Sequence, residues 1–577
     1  MDANKEHISG IFQNGRLLEI PFYQRAYVWS DPQWSRFLED TAFITKSKRE
    51  FFFGSIILKE ASVTSADGEY VTEKKIVTDG QQRLTTLMIF MKVLALKTNN
   101  NGAFDGLFCL DDGTPSLCHG KYDAEAFKAV ISKTEATSFP EDQATSQIIK
   151  AFNYFVNNLS ANEYSWNDIK KYALFVSIDL LEKEDEQQVF DTINSPGVSL
   201  STSELLKNYF FNKNDIAEYN EKWIAIFEKD EDCRDYWNQI IDVGHKKQPL
   251  IDVFFNAYFQ ILIQDKRWQI TAEDKVAYGR VDRLAASYKD MIRRYCAGNK
   301  HAVLDEMADY AKDFHDSFDP DFVNQYVPAQ YGIEHLNVIV FGLNTTTLIP
   351  YLLYVKHNVH DTNELKSIYR ILEAYIMRRI VVHASAKNYN GVFNSLILNG
   401  ILTGDALREA LKKDQDSTDT TTYFPSDEEL LYGFQNSKLF NLHSKAVLYF
   451  IECAIHPAAS STIVKGLNGY SLEHLMPKKW QNNWPSCATK EEARERDSRL
   501  LTLGNLAIIT QSLNASIRDS SWANKLQGKA NNPGLKLCAG GLATMANVLE
   551  KDVWDESCIA QRAYDLYNKA KEIWCIQ

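Results

Sequence analysis

Large apolar side chains fill nearly every position of Phe51-Phe52-Phe53-Gly54-Ser55-Ile56-Ile57-Leu58, the pattern of a buried strand. Lys75-Ile76-Val77-Thr78 reads as a second strand. Apolar residues then recur at 84, 87, 88, 91 and 95, the spacing of a helix, so strand, turn and helix are predicted in that order. The polar stretch at about 99–120, with its Gly and Asp residues, is expected to be an inserted loop. Residues 173–181 suggest another strand and 186–193 a short helix. From about 213 the pattern becomes almost wholly helical, with Trp223, Phe227, Tyr236 and Trp237 at three- and four-residue intervals. A polar Asp/Thr-rich run at 412–425 marks a loop. Beyond it, helices surround a strand-loop-helix insert at 470–530, and no internal repeat is evident.

This pattern predicts an α+β, mostly helical protein. A chain of 577 residues exceeds a single core, and the pattern shifts divide it into 1–212 (mixed), 213–430 (a helical middle domain) and 431–577 (helical, carrying the insert). With 45% hydrophobic and 24% charged residues, the composition is that of a globular protein. The nine cysteines form no Cys-x-x-Cys pair, which argues against zinc ribbons and a disulfide framework and for a reducing cytoplasm. Residues 1–10 lack an apolar signal core, and the apolar stretches at 84–96 and 348–355 are too short for a bilayer, so no membrane role is expected. A net charge of -13 excludes a surface coated with nucleic acid but permits a local basic face.

Two stretches have the makings of chemistry. In Thr78-Asp79-Gly80-Gln81-Gln82-Arg83-Leu84-Thr85-Thr86-Leu87, Asp79 is expected to cap the helix and Gly80 to permit a tight turn. The first-turn N–H groups, with Arg83 beside them, then suit a phosphate, while Gln81 and Gln82 offer amides to it or orient a water. An ordinary Asp-Gly turn is the bland alternative. A second Gln-Arg pair, Gln24 and Arg25, lies among aromatics in Tyr23-Gln24-Arg25-Ala26-Tyr27-Val28-Trp29, where Tyr23, Tyr27 and Trp29 serve either a site or the core. Val189-Phe190-Asp191-Thr192-Ile193-Asn194-Ser195-Pro196-Gly197 precedes a helix capped by Ser or Thr, with Glu204 near its third position.

The downstream stretch begins at Glu473-His474-Leu475-Met476-Pro477 and continues through Gly504-Asn505-Leu506 to Asn514. An acid and a His on a strand, an Asn at mid-distance and a last ligand on a helix are what a one-metal nuclease needs. The His deprotonates water while a divalent cation steadies the phosphate oxygens. From His474 to Lys536 ten Lys/Arg face five acids, and Lys478 and Lys479 flank the motif as candidate phosphate contacts. Half of these charges belong equally well to a solvated helix face at 490–499.

Together these motifs resemble the GmrSD-type modification-dependent restriction endonucleases. The upstream series, over roughly the first 210 residues, is similar to their N-terminal domain, related to the ParB/sulfiredoxin-like fold. That resemblance implies nucleotide binding and hydrolysis through Asp79, Gly80, Gln81, Gln82 and Arg83, with Gln24 and Arg25 as additional candidates. Pro196 stands where the family usually has a basic residue. The downstream series resembles the family's His-Me finger (HNH-like) ββα-metal nuclease. By that likeness His474 is the general base, Asn505 helps hold the site or orient the His, and Glu473 and Asn514 are the metal ligands; Lys525 is expected to support the reaction. The nine-residue interval from Asn505 to Asn514 matches, and zinc-knuckle cysteines are absent. Hard oxygen ligands imply Mg²⁺ or Mn²⁺.

The expected activity is an NTP-responsive DNA endonuclease that restricts foreign, modified phage DNA, with GTP, UTP, CTP and ATP all open. A ParB-like switch with an inactive nuclease, a non-hydrolysing N-terminal module and an RNA-cleaving toxin are the competing readings. Two-strand cleavage suggests a homodimer. Arg378 and Arg379, in another stretch resembling the family, suit either a domain interface or DNA.

Overall fold

A six-stranded mixed sheet organises the first unit, in the order β1-β6-β3-β4-β2-β5. Its strands are β1 (Asp2–His7), β2 (Leu17–Glu19), β3 (Phe51–Ala61), β4 (Lys74–Asp79), β5 (Leu117–Cys118) and β6 (Ala173–Leu180). β3 pairs antiparallel with β4 and parallel with β6, while β2 runs parallel to both β4 and β5. The computed structural model describes the chain apart from residues 1, 13–14, 62–72, 121, 182–183, 185–200, 212–214, 280–282, 329–331, 413–421, 461, 530–531 and 576–577. The expected helix at 186–193 and the 189–197 motif lie outside the described residues, as does most of the 412–425 run. Two compact units are present, Met1–Glu221 and Lys222–Gln577, so the helical middle segment and the C-terminal segment fall within one unit.

The helix Gln81–Lys97 covers the sheet and is buried on every side from Leu84 to Leu96. An all-round apolar helix has to be central, because no face of it can meet water. Its one interior cation, Lys92, lies 4.9 Å from the Phe104 ring centroid. Phe104, Phe108 and Leu117 also explain why 99–120 is not the expected loop. Their burial folds the stretch into the helix Asn101–Phe108 and the edge strand β5.

The second unit is mainly helical. The helices Leu250–Gln264, Thr362–Val381, Asn441–Ile455 and Glu556–Ile573 all bury broad apolar faces. Short antiparallel ribbons interrupt them, among them β7 (Ile240–Val243) with β8 (Lys246–Pro249) and β9 (Ser471–His474) with β10 (Leu506–Ile509). Arg378 and Arg379 are both 0% exposed. Arg378 donates to Trp574 O (2.7 Å), Pro425 O (3.0 Å) and Asp427 Oδ1 (2.7 Å), and Arg379 to Tyr423 O and Ser385 O. They staple loops and the C-terminal helix end within this unit, and a DNA contact would need an exposure that they lack. Among the described residues no helix is long and apolar enough to cross a membrane.

Candidate active site

In the first unit, the turn after β4 takes its shape from Gly80. Its φ of 93° is left-handed, and a Cβ there would sit 2.6 Å from the Ile56 side chain, so only glycine fits. Gly80 itself, without a side-chain hydrogen bond, is the helix N-cap, and the capping role expected of Asp79 is not observed. Asp79 instead lies 3.8 Å from Arg83, one helical turn on. Arg83 crosses the backbone of Gly54 and donates to Ser55 O.

The two motif glutamines on either side of this turn act as latches. Gln24 Nε2 donates to Val77 O (3.0 Å) and Thr78 O (2.9 Å). Gln82 accepts from Val28 N (2.9 Å) and donates to Ala26 O (3.1 Å). The loop 24–28 is thereby tied to the start of the long helix, with buried Tyr27 bonded to Thr86 and Trp34 beneath it. Tyr27 and Tyr23 are therefore core residues. Arg25 reaches Glu204 (3.8 Å), whose helix Thr202–Phe210 has the expected capping box with Ser201. All seven upstream candidates thus meet in one place. Gln24 and Gln82 are engaged by backbone, Arg83 by Ser55 O and Asp79, and Arg25 by Glu204.

In the second unit, β9 and β10 place His474 opposite Leu506 and Glu473 opposite Ala507. Alternation along a strand directs neighbouring side chains to opposite faces. Glu473 points inward, 5% exposed, and is ion-paired with the fully buried Lys525, whose Nζ also donates to His474 O (2.7 Å). Burial pushes the Glu473 carboxyl upward and the Lys525 amine downward, each opposed by the other's charge. His474 is half-buried, and its ring makes no hydrogen bond to a described residue. Burial, then the charges of Lys478 and Lys525, push it down to about 4. The imidazole is therefore neutral near pH 7 and holds a lone pair for a proton.

Asn505 is 0% exposed and uses its whole amide. Nδ2 donates to Met476 O (2.8 Å) and Leu500 O (2.9 Å), while Oδ1 accepts from Met476 N (2.8 Å) and Trp554 Nε1 (3.1 Å). Its task is to hold the segment that follows His474. Asn514 Nδ2 donates to Leu472 O (2.9 Å) and Ser471 Oγ (3.1 Å), which leaves Oδ1 without a described partner. Lys478 and Lys479 are exposed beside the motif.

Hard oxygens at Glu473 and Asn514 suit Mg²⁺ or Mn²⁺, which bind through one or two protein oxygens and keep several waters. Ser471 and Glu473, two apart on β9, share a face, and Asn514 bonds Ser471 there. Both are hard oxygen donors of the kind such an ion takes, but the Glu473 carboxylate is already held by the buried Lys525 Nζ. Among the described residues no cluster of three or more His, Cys, Asp or Glu gathers. Trp554, Arg562 and the Lys525–Glu473 pairing have no local sequence signal, because each partner lies more than 45 residues away.

The N-terminal-domain model of the GmrSD restriction endonucleases matches residues 8–211 and the C-terminal-domain model residues 424–569. Against the curated proteins the chain finds no match. The two matched segments hold the two sites just described and together span more than half of the sequence, so the chain belongs to the GmrSD restriction endonucleases and its substrate is DNA.

Proposed function

We propose that the chain is an NTP-responsive, divalent-metal-dependent endonuclease that restricts modified phage DNA, with His474 as general base. The observation that carries this reading is the neutral, unpartnered imidazole at the end of β9, beside exposed Lys478 and Lys479. His474 accepts the proton of an attacking water at a ring nitrogen, the usual task of a catalytic His. Asn505 and Lys525 are positioning residues. The first holds Met476 from both sides, and the second holds the His474 carbonyl and Glu473. Lys478 and Lys479 bind DNA phosphates. Glu473 and Asn514 would hold Mg²⁺ or Mn²⁺, which supplies charge neutralisation at the scissile phosphate.

The β9–β10 ribbon followed by the helix Gln511–Ile517 supports a His-Me finger reading. The strand-turn-helix at 74–97 supports a ParB/sulfiredoxin-like nucleotide site, in which Arg83, Arg25 and the first-turn N–H groups bind the NTP phosphates. A homodimer would place two nuclease sites on opposite strands. The test is cleavage of modified and unmodified DNA, with Mg²⁺, Mn²⁺ or chelator, and with or without each NTP. Cleavage that needs the metal and responds to one NTP is expected. Metal-independent cleavage, or indifference to every NTP, refutes the reading.

A further inference from the structure

A cavity of about 550 Å³ opens beside the helix Glu556–Ile573, and the Arg562 side chain links its wall to the Asn505 turn. The size suits a small-molecule ligand. Its wall includes Arg562, whose position is unusual for a cation. Arg562 is 7% exposed, and every hydrogen bond it makes goes to a carbonyl rather than a carboxylate. Nη1 donates to Gly504 O (2.9 Å), Leu506 O (2.6 Å) and, at longer range, Leu503 O (3.4 Å). Nη2 reaches only Thr544 O at 3.5 Å, and Nε is buried with no partner. A guanidinium has five N–H donors and is always charged. Here two of the five lack an acceptor, and among the described residues no carboxylate lies within ion-pair distance, although Asp565 still acts on the charge.

Two further cations, Lys551 and Lys569, line the same cavity. Glu550 and Asp565 line it too, with Asp565 accepting from Gln561, so the lining carries a net charge of +1. Buried cations are ordinarily paired; of these three only Arg562 is buried, while Lys551 and Lys569 are exposed at the cavity's rim, Lys569 lying 3.5 Å from Glu572. We propose that this cavity binds a phosphate-bearing small molecule, seated on Arg562 with Lys551 and Lys569 at its rim. Through the carbonyls held by Arg562, and through Trp554, which also lines the cavity and bonds Asn505, the occupant stabilises the turn behind His474. This holds whatever chemistry His474 performs.

Cys558 lines the cavity and reports on it, while Cys538 is exposed elsewhere. In the full-length protein, the alkylation rate of each is read by peptide mass spectrometry while pyrophosphate or a mononucleotide is titrated in. Pyrophosphate is expected to slow modification of Cys558 and leave Cys538 unchanged. The double charge reversal Lys551→Glu/Lys569→Glu, at positions that carry no core packing, should raise the concentration needed by about tenfold or more. Protection by the mononucleotide at lower concentration than pyrophosphate assigns the rest of the cavity to a nucleoside, and equal protection assigns it to an inorganic oxyanion. An unchanged Cys558 rate with both ligands, or protection undiminished by the charge reversal, overturns the proposal.

Discussion

Replacing Asn505 by Ala removes one amide that satisfies four buried groups: Met476 N, Met476 O, Leu500 O and Trp554 Nε1. A buried donor or acceptor left unsatisfied costs about 1–3 kcal/mol, so four of them set a range of about 4–12 kcal/mol. Such losses are not additive for neighbours, and the cavity left by a small side chain allows some relaxation or a water. The lower end, about 4 kcal/mol, is therefore expected. Urea unfolding measures the stability loss, and hydrogen exchange at residues 475–477 locates it. Exchange there should rise by more than tenfold, and cleavage should fall with it, because the segment after His474 loses its anchor. Asn505→Asp keeps the acceptor but sets a carboxylate against two carbonyl oxygens. A carboxyl disfavoured in the fold destabilises it more as pH rises, so this variant should regain stability in acid. A loss below about 1 kcal/mol for Asn505→Ala, with Met476 still protected, would refute the account of this turn.

Further consequences follow from the buried charges and the exposed lysines. Lys525→Met leaves Glu473 as an unpaired buried carboxylate and should destabilise by about 3–5 kcal/mol, with much of that recovered in the Lys525→Met/Glu473→Gln double variant; thermal denaturation of the four-member cycle checks it. His335 is buried, which opposes its protonation, but Glu373 at 2.8 Å outweighs the burial and raises the imidazole above its usual value. The stability this pair adds is complete below the unfolded His value of about 6.5 and is lost as pH rises through the higher folded value; His335→Gln should abolish that fall in unfolding free energy. Lys478→Ala and Lys479→Ala should each lower the slope of log binding against log salt by about 0.9 per lost phosphate contact, read by DNA-binding titrations.

The fold class was legible because the strongest signals are local. The apolar spacing of 84–96 marked the helix, although the spacing alone describes one face and burial proves to be all round. The strands at 51–58, 75–78 and 173–181 reappear as β3, β4 and β6, but the first is not buried throughout: only Ile56, Ile57 and Leu58 are, and Phe52 is exposed. Stretch 99–120 was misread because polar turns hid three buried apolar anchors that matter only after tertiary packing. The same limit applies at the sites. The positions of His474, Asn505 and Asn514 on strand, turn and helix follow from short-range pattern. The partners that decide what each does are remote in sequence: Trp554 on Asn505, Lys525 on Glu473, and the backbone that engages Gln24 and Gln82. Asp79 looked like a cap because Asp often is one, yet Gly80 alone can adopt the φ that the Ile56 contact demands.

The most direct test of the central claim is single-turnover cleavage of a modified DNA substrate by His474→Ala beside the wild type, with Mg²⁺ or Mn²⁺ present and urea unfolding run in parallel. Loss of about 10²–10⁴-fold in rate with an unchanged unfolding midpoint is the predicted result, the range a general base contributes. Cleavage at the wild-type rate by a folded His474→Ala protein would contradict it.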